Sequence, residues 1–298
     1  MTKAVLAQLR GEIARIEDQT LTLEDSAARP VIDLGHPTLN APFQPRGGPD
    51  RGALHEMHGA VNLAPHRSAP TVNAFALAFA LQRVGDRPVV WVADRLTRRE
   101  AGLLYGPGLS AFGVEPSRVL IVEAKDAREV LWTMEEGLSS DGLHAIIGSV
   151  WGDPTAVDMT ATRRLHLAAQ AKHTPALLLR HGAALGTSAA QTRWRIASHP
   201  GAPPAIGQRH RAAFTLSRPR WSVALERNRL GQTGHWIVEW DAHGRAFVDP
   251  ARTAREHAET AHPGSVVSAL PGRASAPGRR GDGSKIAAFR GGRLQRAS

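Results

Sequence analysis

Short apolar stretches alternate with helical ones along the middle of the chain, and this order restricts the possible folds more than any other feature of the sequence. Five stretches bounded by turn residues predict β-strands: Leu54–His58, Pro88–Ala93, Arg118–Glu123, Leu143–Ser149 and Pro175–Arg180. Helices are predicted at Val72–Arg83, Ala127–Leu138 and Asp158–Lys172, with Asp158 placed as an N-cap. A β-α-β-α order is typical of an α/β fold with a mostly parallel sheet flanked by helices.

The pattern changes after Arg180. Three more strand-like stretches follow with no helix between them, at Gln191–Ala197, Trp221–Asn228 and His235–Trp240. We therefore expect an antiparallel C-terminal extension of the sheet. The interval Ser198–Pro219 is interrupted by several prolines and predicts a long mobile loop.

The segments outside this pattern divide the chain into four predicted parts. An apolar seam of Leu6, Leu9, Ile13 and Ile16 predicts a docking helix of about four turns within residues 1–20, which can pack on its own domain or on a partner. Residues 21–50 are predicted to be a linker, because the part from Pro30 to Asp50 is rich in Pro and Gly and lacks periodicity. Residues 51–249 form the predicted α/β domain, and residues 250–298 a basic, disordered tail.

Composition excludes several classes of function. The chain has no Cys, which removes disulfides, thiolate zinc sites and cysteine nucleophiles. No apolar run approaches the ~20 residues of a membrane span and the N-terminus lacks a signal-peptide pattern, so a soluble, cytoplasmic protein with no membrane partner is expected. The net charge of +10 favours acidic partners such as nucleic acid, although residues 251–298 alone hold nine Lys/Arg against three Asp/Glu.

The stretch from Leu54 to Gln82 has the order of a phosphate-binding site without its residues. A working P-loop, G-x-x-x-x-G-K-[ST], needs backbone N–H groups that cradle the phosphates, a Lys that reaches them and a hydroxyl that binds Mg²⁺. The corresponding loop, Gly59–Thr71, contains one Gly, two Pro and no Lys. Each Pro removes an N–H donor from the cradle. We therefore expect the scaffold to be kept and the nucleotide chemistry to be lost.

Several of these segments resemble the RecA ATPase core. Leu54–Gly59 and the helix from Asn73 to Gln82 are similar to the strand and helix that flank its P-loop. Gly113–Val122, followed by Ala127–Leu131, resembles the segment that leads into its Walker B strand. In that strand Gly148 stands where the RecA family has its Mg²⁺-linked Asp.

The resemblance also implies that the P-loop lysine is missing in either possible alignment. Counting back from the helix end puts Pro70 and Thr71 at the Lys and hydroxyl positions, whereas counting forward from the glycine puts Pro65 and His66 there. Arg67 could replace the lysine because a guanidinium binds phosphate well, but a solvated loop arginine is the simpler explanation.

Two further ATPase positions are altered. The acid that orients water in an active RecA core falls at Asp94 or Arg95, and Arg180-His181 stands where RecA has its nucleotide-sensing Asn-Gln pair. The degenerate nucleotide site predicted from the resemblance comprises Gly59, Arg67, Thr71, Asp94 and Gly148. No catalytic residue is assigned.

Additional local matches occur in the same order as in a second, narrower family. They are Leu104–Leu109, Trp132–Glu136, Thr160–Leu165, Arg193–Arg195 and Glu226–Arg229, and the likeness covers roughly residues 50–242. These stretches resemble the ImuA family, RecA-like accessory proteins of bacterial damage-induced mutagenesis in the SOS response. The resemblance implies a degenerate RecA-like core, no cofactor, and a non-catalytic role in translesion synthesis and DNA repair.

Partners are likewise implied by this resemblance. An ImuB-like polymerase homologue is the first, and RecA, an alternative replicative-type DNA polymerase and single-stranded DNA are further candidates. Two alternatives stay open: a weak DNA-dependent ATPase or recombination mediator with a rebuilt loop, and a cell-division inhibitor with a degenerate RecA core. The apolar seam of the first helix supplies the candidate partner-binding residues.

Arginines cluster around the predicted long loop, with Trp194, Phe214 and Trp221 between them. The candidate DNA-binding residues are Arg193, Arg195, Arg209, Arg211, Arg218 and Arg220. Arginine on phosphates combined with aromatic stacking on bases is the chemistry of single-strand binding. For the strand part, the alternating order equally fits Trp and Ile turned inward with Arg in water.

Other constellations give weaker signals. His55 and His58 lie three apart in an extended strand and face opposite sides, so no metal site is predicted. Asp153 and Asp158 could be paired carboxylates in a cleft, but a turn Asp-Pro and a helix N-cap explain them more simply. No Ser/His/Asp arrangement occurs in a nucleophile-elbow context.

Overall fold

The computed structural model describes residues 29–60, 64–82, 87–183, 186–201 and 218–251. Its strands are β1 Leu54–Gly59, β2 Val89–Asp94, β3 Val119–Ala124, β4 Ala145–Trp151, β5 Ala176–His181, β6 Thr192–Ser198, β7 Arg220–Asn228, β8 Gly234–Asp241 and β9 Ala246–Val248. They form a nine-stranded sheet in the order β3-β2-β4-β5-β1-β6-β7-β8-β9. The predicted α/β class is confirmed: a mostly parallel sheet with flanking helices and an antiparallel C-terminal extension.

Helices cover both faces of this sheet. The helices of the described residues are α1 Pro37–Asn40, α2 Pro65–Ala80, α3 Arg95–Ala101, α4 Gly106–Ala111, α5 Ala127–Leu138 and α6 Met159–Lys172, with short 3-10 turns at Ala41–Phe43 and Pro116–Arg118. α5 and α6 begin where carboxylates cap them, since Asp126 Oδ1 accepts from Glu129 N at 3.1 Å and Asp158 Oδ1 from Ala161 N at 2.7 Å. The predicted N-cap at Asp158 is confirmed.

Each face of the sheet has its own apolar core. The larger one packs α2 and residues 32–43 against the sheet, with Phe75, Phe79 and Trp194 at its centre. The smaller one lies under α5 and α6 and contains Ile146, Val150 and Leu165, among others. β2 and β5 are buried along their whole length, as parallel strands covered on both faces should be.

The prediction that residues 21–50 form a linker is wrong for the described part, residues 29–50. Leu34, Leu39 and Phe43 are fully or almost fully buried in the larger core, and Val31 pairs with Asp50 in an isolated bridge. Their order follows no helical or strand period because the segment is irregular, so a pattern search could not detect its burial. The α/β domain therefore begins before residue 51.

Helix α2 begins seven residues earlier than predicted, at Pro65 rather than Val72. Pro65 occupies the first turn, where a missing N–H costs no hydrogen bond and the fixed φ suits a helix. Pro70 lies inside the helix, in its second turn, where it removes the N–H that would donate to His66 O. The segment Pro65–Thr71, expected to be loop, is consequently helical.

β6 also differs from its prediction, because it pairs with β1 in the parallel direction. The chain crosses from β5 past β1 to reach β6, and the antiparallel part begins only at β7. The strand itself has the alternation that the sequence suggested, with Trp194 and Ile196 fully buried.

Some predictions concern segments outside the described residues. They are the docking helix with Leu6, Leu9, Ile13 and Ile16, residues 202–217 of the long loop, and the tail beyond Ala251. Among the described helices, none has the length and apolar character needed to cross a membrane.

Candidate functional site at the carboxyl edge of the sheet

The carboxyl ends of the neighbouring strands β1 and β5 lie against the start of α2. A Cβ added to Gly59, the last residue of β1, would collide with the side chain of Ser68 in the first turns of the helix. A Cβ added to Gly182, just after β5, would lie 2.7 Å from Cγ of Pro65. The helix therefore packs directly on the ends of two central strands, and glycine at both positions makes this approach possible.

Two backbone N–H groups at this helix start already have partners. Arg67 N and Ser68 N both donate to Ala64 O, at 2.9 Å and 3.3 Å, and Pro65 has no N–H. Ser68 Oγ donates to Pro65 O at 3.1 Å. Arg67 is exposed in the first turn and Thr71 lies four residues later, so both predicted residues belong to helix α2 and not to a phosphate-binding loop.

Gly148 faces away from the predicted nucleotide site. A Cβ there would collide with the Met134 side chain of α5, on the side of the smaller core that also receives Ile146 and Val150. Ile147 belongs to the opposite face, which packs against α2. A carboxylate at position 148 would therefore point into the smaller core and not toward Gly59.

Ser149, two residues after Ile147, also lies on the face of β4 opposite Gly148, and the sequence did not point to it. Its Oγ lies 3.0 Å from His181 Nε2 at the end of β5, and both side chains are buried. Burial lowers the pKa of His181 to about 4, so the imidazole is neutral. The predicted Arg180-His181 pair thus supplies a neutral, buried histidine rather than a nucleotide-sensing amide.

Asp94 has a structural task in this arrangement. It is buried at the end of β2, and its Oδ1 accepts a hydrogen bond from Thr97 N at 2.6 Å as the N-cap of α3. Arg95, the alternative residue at this position, is exposed, with its Nε 3.7 Å from Glu123 Oε1. Asp94 is thus engaged in capping a helix, and Arg95 stands beside a carboxylate.

Glu56 is the charged centre of this edge, and it was missed in the sequence. It is 1% exposed within β1, and its Oε2 accepts from Arg193 Nη2 at 2.8 Å, from Arg193 Nε at 3.0 Å and from Ser188 Oγ at 2.8 Å. Arg180 Nη1 lies 4.0 Å from its Oε1, while Arg180 Nη2 donates to Asp153 Oδ1 at 2.6 Å. A charge in an apolar strand was the available signal, because such a residue must be paired.

The candidate DNA-binding arginines that the structure describes are each close to a carboxylate. Arg193 is held by Glu56, and Arg195 Nε donates to Glu226 Oε1 at 2.6 Å. Arg220 is paired with Glu239, and Arg218 Nη2 lies 3.8 Å from Asp241 Oδ1. Arg209 and Arg211 lie outside the described residues. The strand interpretation, with Trp and Ile inward, therefore describes how Arg193 and Arg195 are arranged.

The histidines of β1 have separate partners. His55 bonds to Thr192 Oγ1 at 2.8 Å and to Asp50 O at 2.9 Å, while His58 Nε2 lies 2.9 Å from Glu226 Oε2. Burial lowers the pKa of His55 to about 4. The described ranges hold no group of three or more His, Asp or Glu side chains that could bind a metal ion.

Asp153 and Asp158 do not act together as an acid–base pair. Asp153 is bound to Arg180 and Asp158 caps α6, although both line one open cleft of about 320 Å³ beside Thr187. The simpler of the two sequence interpretations describes their roles in the structure.

Comparison with known proteins places this geometry in context. No family model matches the chain. Protein ImuA of Caulobacter vibrioides strain NA1000 / CB15N is 33% identical over 253 residues, which cover 81% of this chain and 90% of that protein. Protein ImuA of strain ATCC 19089 / CIP 103742 / CB 15 gives the same values. Among solved structures, the crystal structure of the RadB recombinase matches with a TM-score of 0.46 and 14% identity over 73% of this chain and 99% of that one.

Proposed function

Because the chain belongs to the ImuA family of accessory proteins in damage-induced mutagenesis, we propose that it acts there without hydrolysing nucleotide, as an assembly protein that joins an ImuB-like polymerase homologue to DNA. RecA and an alternative replicative-type DNA polymerase are further proposed partners. The proposed setting is translesion synthesis in the cytoplasm during the SOS response.

One observation carries the non-catalytic part of this proposal. Ser68 and Pro65 lie directly against Gly59 and Gly182, so α2 is packed on the ends of β1 and β5, beside the residues to which the resemblance assigns the nucleotide site. A triphosphate held between these strand ends and α2 would require the helix to move, at the expense of contacts with a core that contains Phe75. Asp94 and Gly148 add support, because one is used as a helix cap and the other faces the opposite core.

The proposed bridging role is supported by two features, the α/β domain and the apolar seam of the predicted first helix. A rigid α/β domain with its charges internally paired at the carboxyl edge offers fixed surfaces to several partners. The apolar seam of Leu6, Leu9, Ile13 and Ile16 supplies the proposed contact with the polymerase homologue.

Nucleotide turnover is the first test. The purified full-length chain is incubated with ATP, Mg²⁺ and single-stranded DNA, and phosphate release is compared with that of the Arg67→Ala and Thr71→Ala variants. We expect no turnover above a protein-free control and no rise in melting temperature on adding MgATP, since only a ligand that binds the native state stabilises it. Turnover that disappears in either variant would establish the ATPase alternative instead.

Co-purification is the second test. The chain is expressed with the ImuB-like polymerase homologue, with and without residues 1–20, and recovery of the complex is measured. Recovery that depends on residues 1–20 is the expected result. Recovery of a tubulin-like division protein, with no polymerase homologue bound, would replace this proposal with the cell-division alternative.

A further inference from the structure

The amino edge of the parallel sheet, opposite the degenerate nucleotide site, gathers basic side chains from four separate connections. Arg51, Arg87, Arg118 and His144 stand one to three residues before β1, β2, β3 and β4. Because these strands are parallel, the residues that precede them lie along one edge of the sheet. The strand order places Arg118, Arg87, His144 and Arg51 in a row, which we call the amino-edge row. Four strand spacings give this row a length of roughly 19 Å.

Hydrogen bonds join neighbours within the amino-edge row. Arg51 Nη2 lies 2.9 Å from His144 Nδ1 and donates to His144 O at 2.9 Å. His144 Nε2 lies 2.9 Å from Ala80 O, so this nitrogen carries the proton and Nδ1 accepts from Arg51. Arg118 Nη2 donates to Arg87 O at 2.7 Å. The row therefore contains two hydrogen-bonded pairs, and in one of them a buried, neutral histidine positions Arg51.

Among the described residues, the charges of Arg51 and Arg87 are not matched by carboxylates, unlike those of Arg193 and Arg220 at the carboxyl edge. Within residues 29–60 and the other described ranges, Arg51 and Arg87 make no ion pair with Asp or Glu, and the hydrogen bonds of Arg51 all use Nη2. Asp141 lies near Arg87 but is bound by Lys172 Nζ at 2.8 Å. Burial and then the charge of Arg51 lower the pKa of His144 to about 4. Burial followed by the charge of Arg87 lowers the pKa of Arg51.

We propose that the amino-edge row binds the phosphate backbone of nucleic acid, with Arg51 and Arg87 in direct contact and His144 as a positioning residue. A guanidinium presents several N–H donors in a fork that matches phosphate oxygens. A row of about 19 Å extends past several backbone phosphates of one strand, which follow each other at about 3.4 Å along the axis of a duplex. The inference rests on the proposed function, since it names the surface by which a bridging protein contacts DNA.

Removal of one exposed charge from the row tests the inference without disturbing a buried contact. Arg87→Gln is compared with Arg128→Gln, which removes an equally exposed arginine from the start of α5 near the carboxyl edge. Both full-length variants keep the basic tail, so its contribution to binding is common to them. Equal melting temperatures for the two variants and the parent chain show that the fold is retained.

Binding of a labelled single-stranded oligonucleotide, and of a duplex of equal length, is measured by anisotropy over a salt series. We expect Arg87→Gln to weaken binding and to reduce the slope of log K against log salt by about 0.7 for the single strand or about 0.9 for the duplex. Arg128→Gln should leave the slope unchanged. Binding of the variants to vesicles of anionic phospholipid is measured in parallel. Equal oligonucleotide affinities and slopes for the two variants would overturn the assignment. It would also be overturned if Arg87→Gln weakened binding to the vesicles but not to the oligonucleotides.

Co-purification with the polymerase homologue separates this inference from the proposed function. If Arg87→Gln binds DNA as the parent chain does, while the complex still forms, only the amino-edge row is wrong. If the parent chain binds neither DNA nor the homologue, the proposed function and the row fail together.

Discussion

At the scale of single residues, three glycines decide what the carboxyl edge can hold. Gly59 and Gly182 let α2 approach the ends of β1 and β5, and Gly148 lets Met134 of α5 pack against β4. A side chain at any of the three would meet protein atoms at less than normal contact distance. Gly59, which the resemblance places at the start of the P-loop segment, is used here for helix–sheet packing.

Gly148 provides a prediction about restoring the Walker B acid. Gly148→Asp should lower the free energy of unfolding by about 3 kcal/mol or more, because the carboxylate would be buried and unpaired beside Met134. Gly148→Ala, which adds only the colliding Cβ, should cost about 1–3 kcal/mol. Urea unfolding measures both. A stable Gly148→Asp protein whose melting temperature rises with MgATP would contradict the assignment of position 148 to the smaller core.

His181 makes the stability depend on pH in a defined direction. Burial lowers its pKa from 6.5 to about 4 in the folded chain, so the unfolded chain binds the proton more readily. The contribution of His181 is complete above pH 6.5, falls as the pH drops from 6.5 toward about 4, and changes no further below that. Stability measured by urea unfolding should therefore decline in this window by about 1 kcal/mol per pH unit from His181 alone.

Two asparagine variants isolate the contribution of His181 to the pH dependence of stability. His181→Asn should reduce the slope by the stated amount. His173→Asn should not, because His173 is exposed and its left-handed backbone conformation suits Asn equally well. Parallel pH profiles for the parent chain and His181→Asn would show that the histidine titrates alike in the folded and unfolded states.

At the scale of elements, β6 shows how a strand can carry arginines that pair with carboxylates of the neighbouring strands. Arg193 and Arg195 alternate with buried Trp194 and Ile196. Arg193 turns toward the carboxylate of Glu56, which is almost completely buried in β1. The strand therefore contributes to the cohesion of the sheet through charge as well as through apolar contact.

The two arginines of β6 should differ sharply when they are removed. Arg193→Ala leaves the Glu56 carboxylate with less compensation and is expected to cost about 3–5 kcal/mol of stability. Arg195→Ala breaks a partly exposed pair with Glu226 and should cost about 1 kcal/mol or less. Chemical denaturation of the two variants measures the contrast. Similar, small losses of stability for both variants would mean that the buried Glu56 carboxylate does not need Arg193 to compensate its charge.

The elements also mark the limit of what local pattern can predict. Strand positions followed from short apolar runs between turn residues, and the capped start of α6 followed from Asp158. α3 and α4 were not predicted, because helices of seven and six residues contain too few turns for a periodic pattern. The first turns of α2 were hidden by Pro70, which local rules treat as a helix breaker.

The candidate site was less predictable than the fold for a related reason. Ser149 meets His181 and Glu56 meets Arg193 only after strands distant in sequence have paired in a particular register. The absence of a P-loop lysine was visible in the sequence, whereas the burial of Ser68 against Gly59 depends on the position of a whole helix.

At the scale of the whole molecule, the first described segment, residues 29–50, contacts the last strands of the sheet. Leu34 O accepts from Phe247 N at 3.3 Å, which ties the segment to β9, and Asn228 Nδ2 donates to Pro42 O at 3.2 Å. Phe43 lies against Trp194, with 6.2 Å between ring centroids. Removing this segment would expose the larger core on the side of the antiparallel strands.

Two truncated chains test whether this segment belongs to the folded domain. A chain of residues 29–298 should unfold cooperatively in urea, because it keeps Leu34, Leu39 and Phe43. A chain of residues 51–298 should not fold, because each large buried side chain of this kind is worth about 2–5 kcal/mol and the net stability of a domain is only about 5–15 kcal/mol. Phe43→Ala in the full chain is the graded control and should lose about 3–5 kcal/mol. If residues 51–298 unfold at the same urea midpoint as residues 29–298, the segment is the linker that its composition suggested, and the core closes without it.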